Sequence, residues 1–144
     1  MIQKAVRTDA QIVAKLAVKM WTSHTEKELK EDFESTLSDD NNAVFLCYLE
    51  DIPVGFAQCS LRTDYVEGTD SSPVGYLEGV FVDGAYRKQG YAKALVKACE
   101  DWAKERGCTE FASDCELGNT ESFAFHLHTG FTEANRIICF TKKI

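Results

Sequence analysis

The stretch that decides the fold is Tyr76-Leu-Glu-Gly-Val-Phe-Val-Asp-Gly-Ala-Tyr-Arg-Lys-Gln-Gly-Tyr-Ala92. It predicts an apolar strand, then a turn that carries Arg87, Lys88 and Gln89, and then an amphipathic helix that begins after Gly90. The first turn of a helix exposes unpaired N–H groups and the positive end of the helix dipole, so it attracts anions. Gly90 lets the backbone approach a ligand closely, and the cationic turn residues add charge. The stretch therefore predicts a phosphate-bearing ligand at the helix start, with the strand lining the rest of it.

Two common phosphate-binding motifs do not match this stretch. A P-loop requires Gly-Lys-Ser/Thr at a fixed distance from its first glycine, and the residues after Gly84 do not supply it. A dinucleotide-binding loop requires Gly-x-Gly-x-x-Gly, and Gly79, Gly84 and Gly90 have the wrong spacing. What remains is the pattern Arg-x-x-Gly-x-Ala at residues 87–92, directly after a strand.

Composition narrows the class of protein. The chain has 144 residues, 44% hydrophobic and 27% charged, which predicts one globular domain over residues 1–144. The formal net charge of −7 argues against nucleic acid as a partner and is compatible with a cationic substrate. We interpret most acids of residues 26–40 as a solvated helix face and loops. The chain start has no apolar signal segment and no run approaches membrane-spanning length, which favours a cytoplasmic protein without a membrane partner.

Cysteine and histidine spacing predicts no metal site and no disulfide framework. The six cysteines form no Cys-x-x-Cys pair, and the three histidines complete no ligand spacing. Most of the cysteines lie in apolar patterns, which predicts buried thiols in a reducing compartment.

Hydrophobic periodicity predicts an α/β protein. The first helix is expected after Asp9, with its apolar positions at Ile12, Val13, Leu16 and Met20. Further helices are predicted at residues 25–37, from Gly90 to Gly107 and at 119–128. Strands are predicted at residues 2–7, 43–49, 54–61, 75–82, 110–115 and 136–142. Hairpins come first and a strand–helix–strand crossover follows, which predicts a mixed, mostly antiparallel sheet flanked by helices.

The motif at residues 87–92 resembles the pyrophosphate-binding signature of the GNAT superfamily of acyl-CoA-dependent N-acetyltransferases. The segment Asn119-Thr-Glu-Ser-Phe-Ala-Phe-His-Leu-His-Thr-Gly-Phe131 resembles the helix of that family that closes on Gly-Phe. Several strings are similar to the aminoglycoside 6′-N-acetyltransferases: Trp21 with His24, Asp64-Tyr-Val-Glu-Gly68, Ser71-Ser-Pro-Val74, Leu77-Glu-Gly79 and Ala112-Ser-Asp114. The resemblance covers essentially the whole chain. It implies the GNAT fold, in which central strands of the twisted sheet splay apart.

The resemblance also implies acetyl-CoA as the acetyl-donating co-substrate, with no metal. Backbone groups of Val80, Phe81 and Val82 would pair with its acetyl and pantetheine arm like an added strand. A backbone N–H of this strand, at Val80 or Phe81, would stabilise the oxyanion. Asn119 would hydrogen-bond the arm, and a helix N-cap without a ligand is the alternative. The pyrophosphate would lie on Arg87, Lys88, Gln89, Gly90, Tyr91 and Ala92.

Two carboxylates, Glu78 and Asp114, would bind the ammonium groups of the acceptor in this resemblance. Glu78 interrupts an apolar strand, where an unpaired carboxylate is unfavourable, and a solvent-facing position is the alternative. Asp114 ends a strand, where open α/β sheets bind ligands. The alternative is that this aspartate is only a turn residue or the cap of the next helix. One of the two would accept the proton of the attacking amine, directly or through a water. The sequence does not say which one.

Five further residues carry weaker expectations. Trp21, His24 and Tyr65 would complete the acceptor pocket, although Trp21 could end the first helix's apolar stripe and His24 could be a surface histidine. His126 stands where many GNAT enzymes have a tyrosine that protonates the departing thiolate. Imidazole titrates near neutral pH and can do this, whereas packing against the co-substrate is the alternative. Asn135 stands where some relatives have a glutamate thought to reach the partner subunit of a homodimer, and it lacks that charge.

Together these expectations predict acetyl transfer from acetyl-CoA to the 6′-amine of an aminoglycoside, by direct attack in a ternary complex. Acetylation removes a positive charge from the drug and weakens its hold on RNA, so antibiotic resistance is the expected phenotype. No cysteine has a histidine partner in a nucleophile motif, so no covalent enzyme intermediate is predicted. Two alternatives stay open: an acetyltransferase for another amine, such as a polyamine or a protein N-terminus, and a non-catalytic acyl-CoA-binding module.

Overall fold

The computed structural model describes every residue from Met1 to Ile144 and arranges the chain around one five-stranded sheet. The strands lie side by side in chain order: β1 (Ile2–Lys4), β2 (Asn42–Leu49), β3 (Ile52–Arg62), β4 (Val74–Val82) and β5 (Phe111–Ala112). The first four are antiparallel to their neighbours, and β5 runs parallel to β4. A parallel pair needs a long crossover, and the helix α3 (Tyr91–Glu105) supplies it.

Helices cover both faces of this sheet. α1 (Ala10–Ala17) and α2 (Glu26–Leu37) pack on one face, and α3 packs on the other. The apolar positions predicted for α3 are buried because they recur on one side of the helix: Leu95, Val96, Cys99, Trp102 and Ala103. Gly107 follows the helix with φ of 85°, a left-handed conformation that glycine adopts without strain. The fourth helix, α4 (Thr120–His128), buries none of its residues.

A β-bulge interrupts β4 at Glu78. Gln58 of β3 pairs with Gly79, and the next residue, Cys59, pairs with Leu77, so Glu78 has no partner of its own. An extra residue of this kind bends a strand and re-aims its side chains. The bulge therefore falls on the single carboxylate of β4.

The bulge also changes which side of the sheet the later residues of β4 face. Leu77 and Val80 both pack toward α3, although regular alternation would place residues three apart on opposite faces. Phe81 packs on the side of α1 and α2. Both faces of β4 are therefore occupied, but the bulge breaks the regular alternation of its side chains.

The ladder between β4 and β5 ends after two residue pairs. Gly75 lies opposite Phe111 and Tyr76 opposite Ala112, and β4 then continues to Val82 without a neighbour on that side. The strand predicted at residues 110–115 is therefore wrong in its extent, because only Phe111–Ala112 is paired. The residues that follow turn away and bond to other side chains instead of extending the ladder. This is the splayed sheet that the predicted fold class contains.

The final strand predicted at residues 136–142 is wrong. Residues 131–144 have no regular secondary structure and pair with no strand of their own chain. Ile137, Ile138 and Phe140, the residues that suggested a strand, are exposed by 64%, 81% and 89%. A strand is stable only beside a partner strand, and this chain offers none to the segment.

The remaining differences are small. α1 ends at Ala17, so Met20 lies in a turn after the helix and the predicted length of α1 is wrong. The predicted burial of most cysteines is confirmed: four are buried, and all six are free thiols. None of the four helices combines the length and the apolar character that crossing a bilayer requires.

Leu95 should be essential for the packing of α3 on the sheet. Its side chain is 0% exposed, in one cluster with Cys99 and Trp102. Replacement by alanine leaves a cavity, so Leu95→Ala should lower the free energy of unfolding by about 2–5 kcal/mol in urea denaturation. Lys93→Ala, at an exposed position of the same helix, is the matched control and should change it by less than about 0.5 kcal/mol. Equal losses in the two variants would contradict this packing.

Candidate active site

The start of α3 has the backbone geometry that a phosphate site requires. Gly90 precedes the helix in the left-handed conformation with φ of 86°, and Lys88 has a φ of 63°. A side chain on Gly90 would meet no atom within 4 Å, so the space in front of the helix is open. The Arg87 guanidinium donates from Nε to the backbone oxygen of Val82, 3.1 Å away. Free N–H groups of the first helical turn and two cationic side chains therefore adjoin an open surface.

β4 leaves one edge of its backbone unpaired beside this loop. Val80, Phe81 and Val82 pair with β3 on one side, and on the other side β5 has already ended at Ala112. Backbone N–H and C=O groups on a free strand edge can pair with an extended ligand. The three predicted cofactor-binding residues of β4 thus lie where such a ligand can reach them.

Asn119 occupies the N-cap of α4. Its Oδ1 accepts from the backbone N–H of Ser122 at 3.0 Å, so the capping alternative describes this half of the amide. The Nδ2 group has no hydrogen-bond partner within the chain. One amide can therefore cap the helix and donate to a ligand at the same time.

His126 is joined to Ser113, which follows β5 directly. The His126 Nε2 lies 2.8 Å from Ser113 Oγ, and Nδ1 lies 2.7 Å from the backbone oxygen of Ser122. A carbonyl oxygen only accepts, so Nδ1 carries a hydrogen, and Nε2 of the neutral ring accepts from the Ser113 hydroxyl. The Ser113 Oγ also lies 3.4 Å from the backbone oxygen of Leu77, at the point where β4 and β5 diverge. The sequence analysis did not select Ser113, because nothing in its local pattern indicates a histidine thirteen residues later in the chain.

The Glu78 carboxylate is paired within the chain. Its Oε1 accepts from Ser60 Oγ at 2.6 Å and from Arg62 Nε at 3.2 Å. The Nη2 of Arg62 lies 3.0 Å from both carboxylate oxygens. The side chain is 27% exposed, so it is neither bare in the core nor fully solvated. The expectation that this carboxylate needs a partner is thus met by a cation of β3.

Arg62 and Tyr76 connect Glu78 to Asp114. The guanidinium carbon of Arg62 lies 3.4 Å from the centroid of the Tyr76 ring, a close cation–π contact. The Tyr76 hydroxyl donates to Oδ2 of Asp114. Burial, together with this hydrogen bond to a carboxylate, raises the pKa of Tyr76 well above its ordinary value and keeps the hydroxyl a donor. We call the four residues Glu78, Arg62, Tyr76 and Asp114 the acidic network.

The sequence analysis did not select Ser60, Arg62 or Tyr76 as site residues, although the sequence contains a partial signal for two of them. Alternation places Ser60 and Arg62 on one side of β3, and the register sets Ser60 opposite Tyr76. The pattern Ser-Leu-Arg thus predicts two polar side chains on one face. It does not predict that they meet Glu78, because the bulge decides where that carboxylate points.

Trp21 lies over Gly79, the residue after the bulge. A Cβ on Gly79 would come within 2.9 Å of the Trp21 ring, so the glycine makes room for the indole. The ring also stacks on Phe33, with centroids 6.2 Å apart. Trp21 lines a cavity of about 280 Å³ whose polar walls are His24, Asp32, Thr36 and Gln58. Asp32 was interpreted as part of a solvated face, and it is exposed, at the rim of this cavity.

Two predicted acceptor residues, Tyr65 and Asn135, make no hydrogen bond to the acidic network. Tyr65 is 77% exposed on the loop after β3. Asn135 donates from Nδ2 to Oε1 of Glu67 on the same loop, 2.7 Å away. A Cβ on Gly68 would come within 2.5 Å of the Ala134 side chain, so this loop and the start of the C-terminal segment are in close contact. The loop that carries Tyr65 and the segment that carries Asn135 therefore lie side by side, and neither residue hydrogen-bonds to Glu78 or Asp114.

A splayed mixed sheet, an open helix start after Gly90 and an acidic network beside a free strand edge define an acyl-CoA-type transferase. The chain belongs to the acetyltransferase (GNAT) family, whose model matches residues 10–131. This finding confirms the family resemblance and the predicted fold class.

Relatives and solved structures agree with this assignment. Aminoglycoside N(6′)-acetyltransferase type 1 of Salmonella typhimurium is 40% identical over 128 residues, which cover 89% of this chain and 88% of the relative. The protein of the same name from Klebsiella aerogenes is 37% identical over 148 residues, covering 100% and 97%. The structure of AAC(6′)-Iy with the bisubstrate analogue CoA-S-monomethyl-acetylneamine has a TM-score of 0.95 and 37% identity, over 100% of this chain and 98% of that chain. Apo AAC(6′)-IG from Acinetobacter haemolyticus has a TM-score of 0.94 and 36% identity, over 100% and 99%.

Tyr76 should give the acidic network a measurable pH signature. Because the pKa of the folded-state hydroxyl is raised, the stability that it contributes is fully present below the ordinary tyrosine value of about 10 and is lost as pH rises above it. The stability advantage of the natural protein over Tyr76→Phe should be constant up to about pH 9. Above about pH 10 it should shrink by about 1.4 kcal/mol per pH unit.

Urea denaturation across this pH range measures the effect. Tyr65→Phe, which changes an exposed ring, is the matched control and should keep a constant difference from the natural protein. A Tyr76→Phe difference that stays constant through pH 11 would show that the hydroxyl is not held as a donor to Asp114.

Proposed function

We propose that this protein transfers the acetyl group of acetyl-CoA to the 6′-amino group of aminoglycoside antibiotics, by direct attack of the amine in a ternary complex, and thereby confers resistance. The observation that carries the proposal is the acidic network directly beside the free edge of β4. Carboxylates suit a polycationic acceptor, and the adjoining backbone edge suits an extended thioester. Relatives that carry this activity in their names are similar over nearly the whole chain.

Acetyl-CoA supplies an activated acetyl group, and the residues around the start of α3 fit it. The open space at Gly90 and the free helical N–H groups suit a pyrophosphate. We assign the backbone of Val80, Phe81 and Val82 to the acetyl and pantetheine arm, with an N–H of Val80 or Phe81 at the oxyanion. The free Nδ2 of Asn119 would donate to the arm. The pyrophosphate would be held by Arg87, Lys88, Gln89, Gly90, Tyr91 and Ala92.

Glu78 and Asp114 are assigned to the ammonium groups of the acceptor. One of them accepts the proton of the attacking amine, directly or through a water. The indole of Trp21 and the ring of His24 line the cavity beside the bulge and would contact a sugar ring. Tyr65 and Asn135 would complete the rim of the pocket from the loop after β3 and from the C-terminal segment.

His126 is proposed to supply a proton on the leaving-group side through Ser113. In the protonated ring both nitrogens donate, Nδ1 to the Ser122 carbonyl and Nε2 to Ser113 Oγ. The Ser113 hydroxyl is then free to donate its own proton into the gap between β4 and β5, while Nε2 replaces it on Oγ. Solvent restores the proton on the ring, since the imidazole is only partly buried.

Three buried cysteines are unsuited to a covalent intermediate. A hydrogen bond to Cys59, together with burial, raises the pKa of the Cys99 thiol, and burial raises the pKa of Cys47 and Cys108. A thiol that stays protonated is a poor nucleophile. Six free thiols also favour a reducing cytoplasm, where acetyl-CoA is available, and we propose that residues 1–144 act there as one domain.

We propose that the protein is a homodimer in which the C-terminal segment, residues 131–144, packs on a second copy. This segment exposes Ile137, Ile138 and Phe140, and the adjacent α4 exposes Leu127 by 48%. Several exposed apolar residues in one segment are typical of a surface that another chain covers. A second copy provides the same apolar segment, which suits a two-fold interface.

A substrate panel tests the proposed activity. Purified protein with acetyl-CoA should release free CoA thiol when kanamycin or tobramycin is added, and far less with spermidine or a peptide, because only the former offer the 6′-amine on a rigid polycation. Thiol release followed with a chromogenic disulfide measures the rate. No release with any aminoglycoside would overturn the assignment.

The matched variant in this assay is Asp114→Asn, which keeps an acceptor for the Tyr76 hydroxyl but removes the charge. A hydrogen bond to a charged group contributes about 1.5–3 kcal/mol, so kcat/KM for tobramycin should fall about tenfold or more. Binding of CoA should be unchanged. Unchanged turnover would remove Asp114 from the acceptor site.

Light scattering during gel filtration tests the dimer. The natural protein should have twice the chain mass of 16.1 kDa, and Ile138→Glu should shift it to the single-chain mass because it places a charge in an apolar interface. Lys142→Glu, a change of charge at an exposed position of the same segment, is the control and should stay dimeric. A natural protein with the single-chain mass would contradict the proposal.

A further inference from the structure

Arg62 occupies the two groups near Glu78 that could bind an acceptor ammonium, the Glu78 carboxylate and the Tyr76 ring. Its guanidinium contacts both oxygens of Glu78, at 3.0 Å each from Nη2, and it lies 3.4 Å above the Tyr76 ring. Both a carboxylate and an aromatic face are sites that an alkylammonium would bind. A cation of the protein itself therefore stands where the proposed function needs a cation of the substrate.

The charges of the acidic network show what this occupation does. Glu78 and Arg62 together carry no net charge, so Asp114 alone remains negative within the network. A carboxylate that already accepts from Ser60 and from two nitrogens of Arg62 has few lone pairs left for another donor. An incoming amine thus meets a full negative charge at one end of the network and a neutralised pair at the other.

Arg62 can leave this position without disturbing the sheet. It is the last residue of β3, its side chain is 43% exposed, and a loop follows it. The carboxylate that it would release is held by Ser60 independently. Rotation of one long side chain into solvent therefore frees Glu78 in a defined place.

We propose that Arg62 is a specificity-determining residue whose guanidinium occupies Glu78 until an ammonium group of a polycationic acceptor displaces it. The inference rests on the proposed function and names how its acceptor site selects substrates. Exchange of one cation for another on Glu78 brings little net gain, because Arg62 loses a two-oxygen contact and its ring stack. An acceptor that also places a second ammonium on Asp114 gains an interaction that a monoamine cannot make. Arg62 thus disfavours monoamines, because it competes with the substrate ammonium for Glu78.

The test compares Arg62→Gln, which keeps a polar side chain but removes the cation, with the natural protein. Binding and turnover are measured for tobramycin and for glucosamine, a sugar with one amine. We expect Arg62→Gln to bind glucosamine more tightly, and the ratio of kcat/KM for tobramycin over glucosamine to fall about tenfold, which corresponds to about 1.4 kcal/mol of discrimination. Arg106→Gln, which removes a cation stacked on Trp102 away from the network, is the matched control and should leave the ratio unchanged.

A second readout follows Arg62 directly. In ¹⁵N NMR spectra the Nε–H of Arg62, assigned by its absence in Arg62→Lys, should lose its hydrogen-bonded shift when tobramycin is titrated into the natural protein. Glucosamine at the same concentration should leave it in place.

Two outcomes overturn the inference separately from the proposed function. If the natural protein acetylates tobramycin but Arg62→Gln loses kcat/KM equally for both acceptors, Arg62 only positions Glu78. An Nε–H signal that persists in the tobramycin complex has the same consequence. If the natural protein neither binds nor acetylates any aminoglycoside, the proposed function fails and the inference fails with it.

Discussion

The backbone ladder between β4 and β5 has only two residue pairs, Gly75 with Phe111 and Tyr76 with Ala112, and beyond it Ser113 and Asp114 bond through their side chains. An unfinished ladder leaves the backbone of β4 free over its second half, beside the open start of α3. The gap is therefore a direct consequence of where one short strand ends. The apolar faces of the sheet remain covered by helices on both sides, so the gap does not open the core.

The acidic network depends on the same strand. The bulge in β4 turns Glu78 toward Ser60 and Arg62 of β3. Tyr76, which precedes the bulge, donates to Asp114, which follows β5. A carboxylate within an apolar strand would be unfavourable alone, and the neighbouring arginine offsets that cost. The chain thus stabilises its own fold with an ion pair at the place where the proposed substrate brings cations. The same ion pair between Arg62 and Glu78 therefore stabilises the unliganded protein and, in our proposal, selects its substrate.

Much of the fold was predictable from local pattern, and the two largest errors share one cause. The four helices, the three long strands and the buried face of α3 follow from periodicity and from glycine positions, because one element's own spacing contains that information. These two errors concern β5 and residues 136–142, whose state depends on a partner strand. Residue type can make a segment suited to a strand, but only a neighbour with free backbone groups makes it one.

For the site, the sequence by itself predicted a phosphate-binding segment around Gly90 and, through this motif and residues 119–131, the family whose resemblance implies roles for Glu78 and Asp114. The two motifs are contiguous in the chain, so they can be recognised without knowing what surrounds them. Only the tertiary structure decided that Arg62 pairs with Glu78 and that Ser113 meets His126. Such pairs depend on strand register, on a bulge of one residue and on how a helix docks. Register, bulge position and helix docking are each set by many weak contacts across the whole chain, so no single stretch of sequence predicts them.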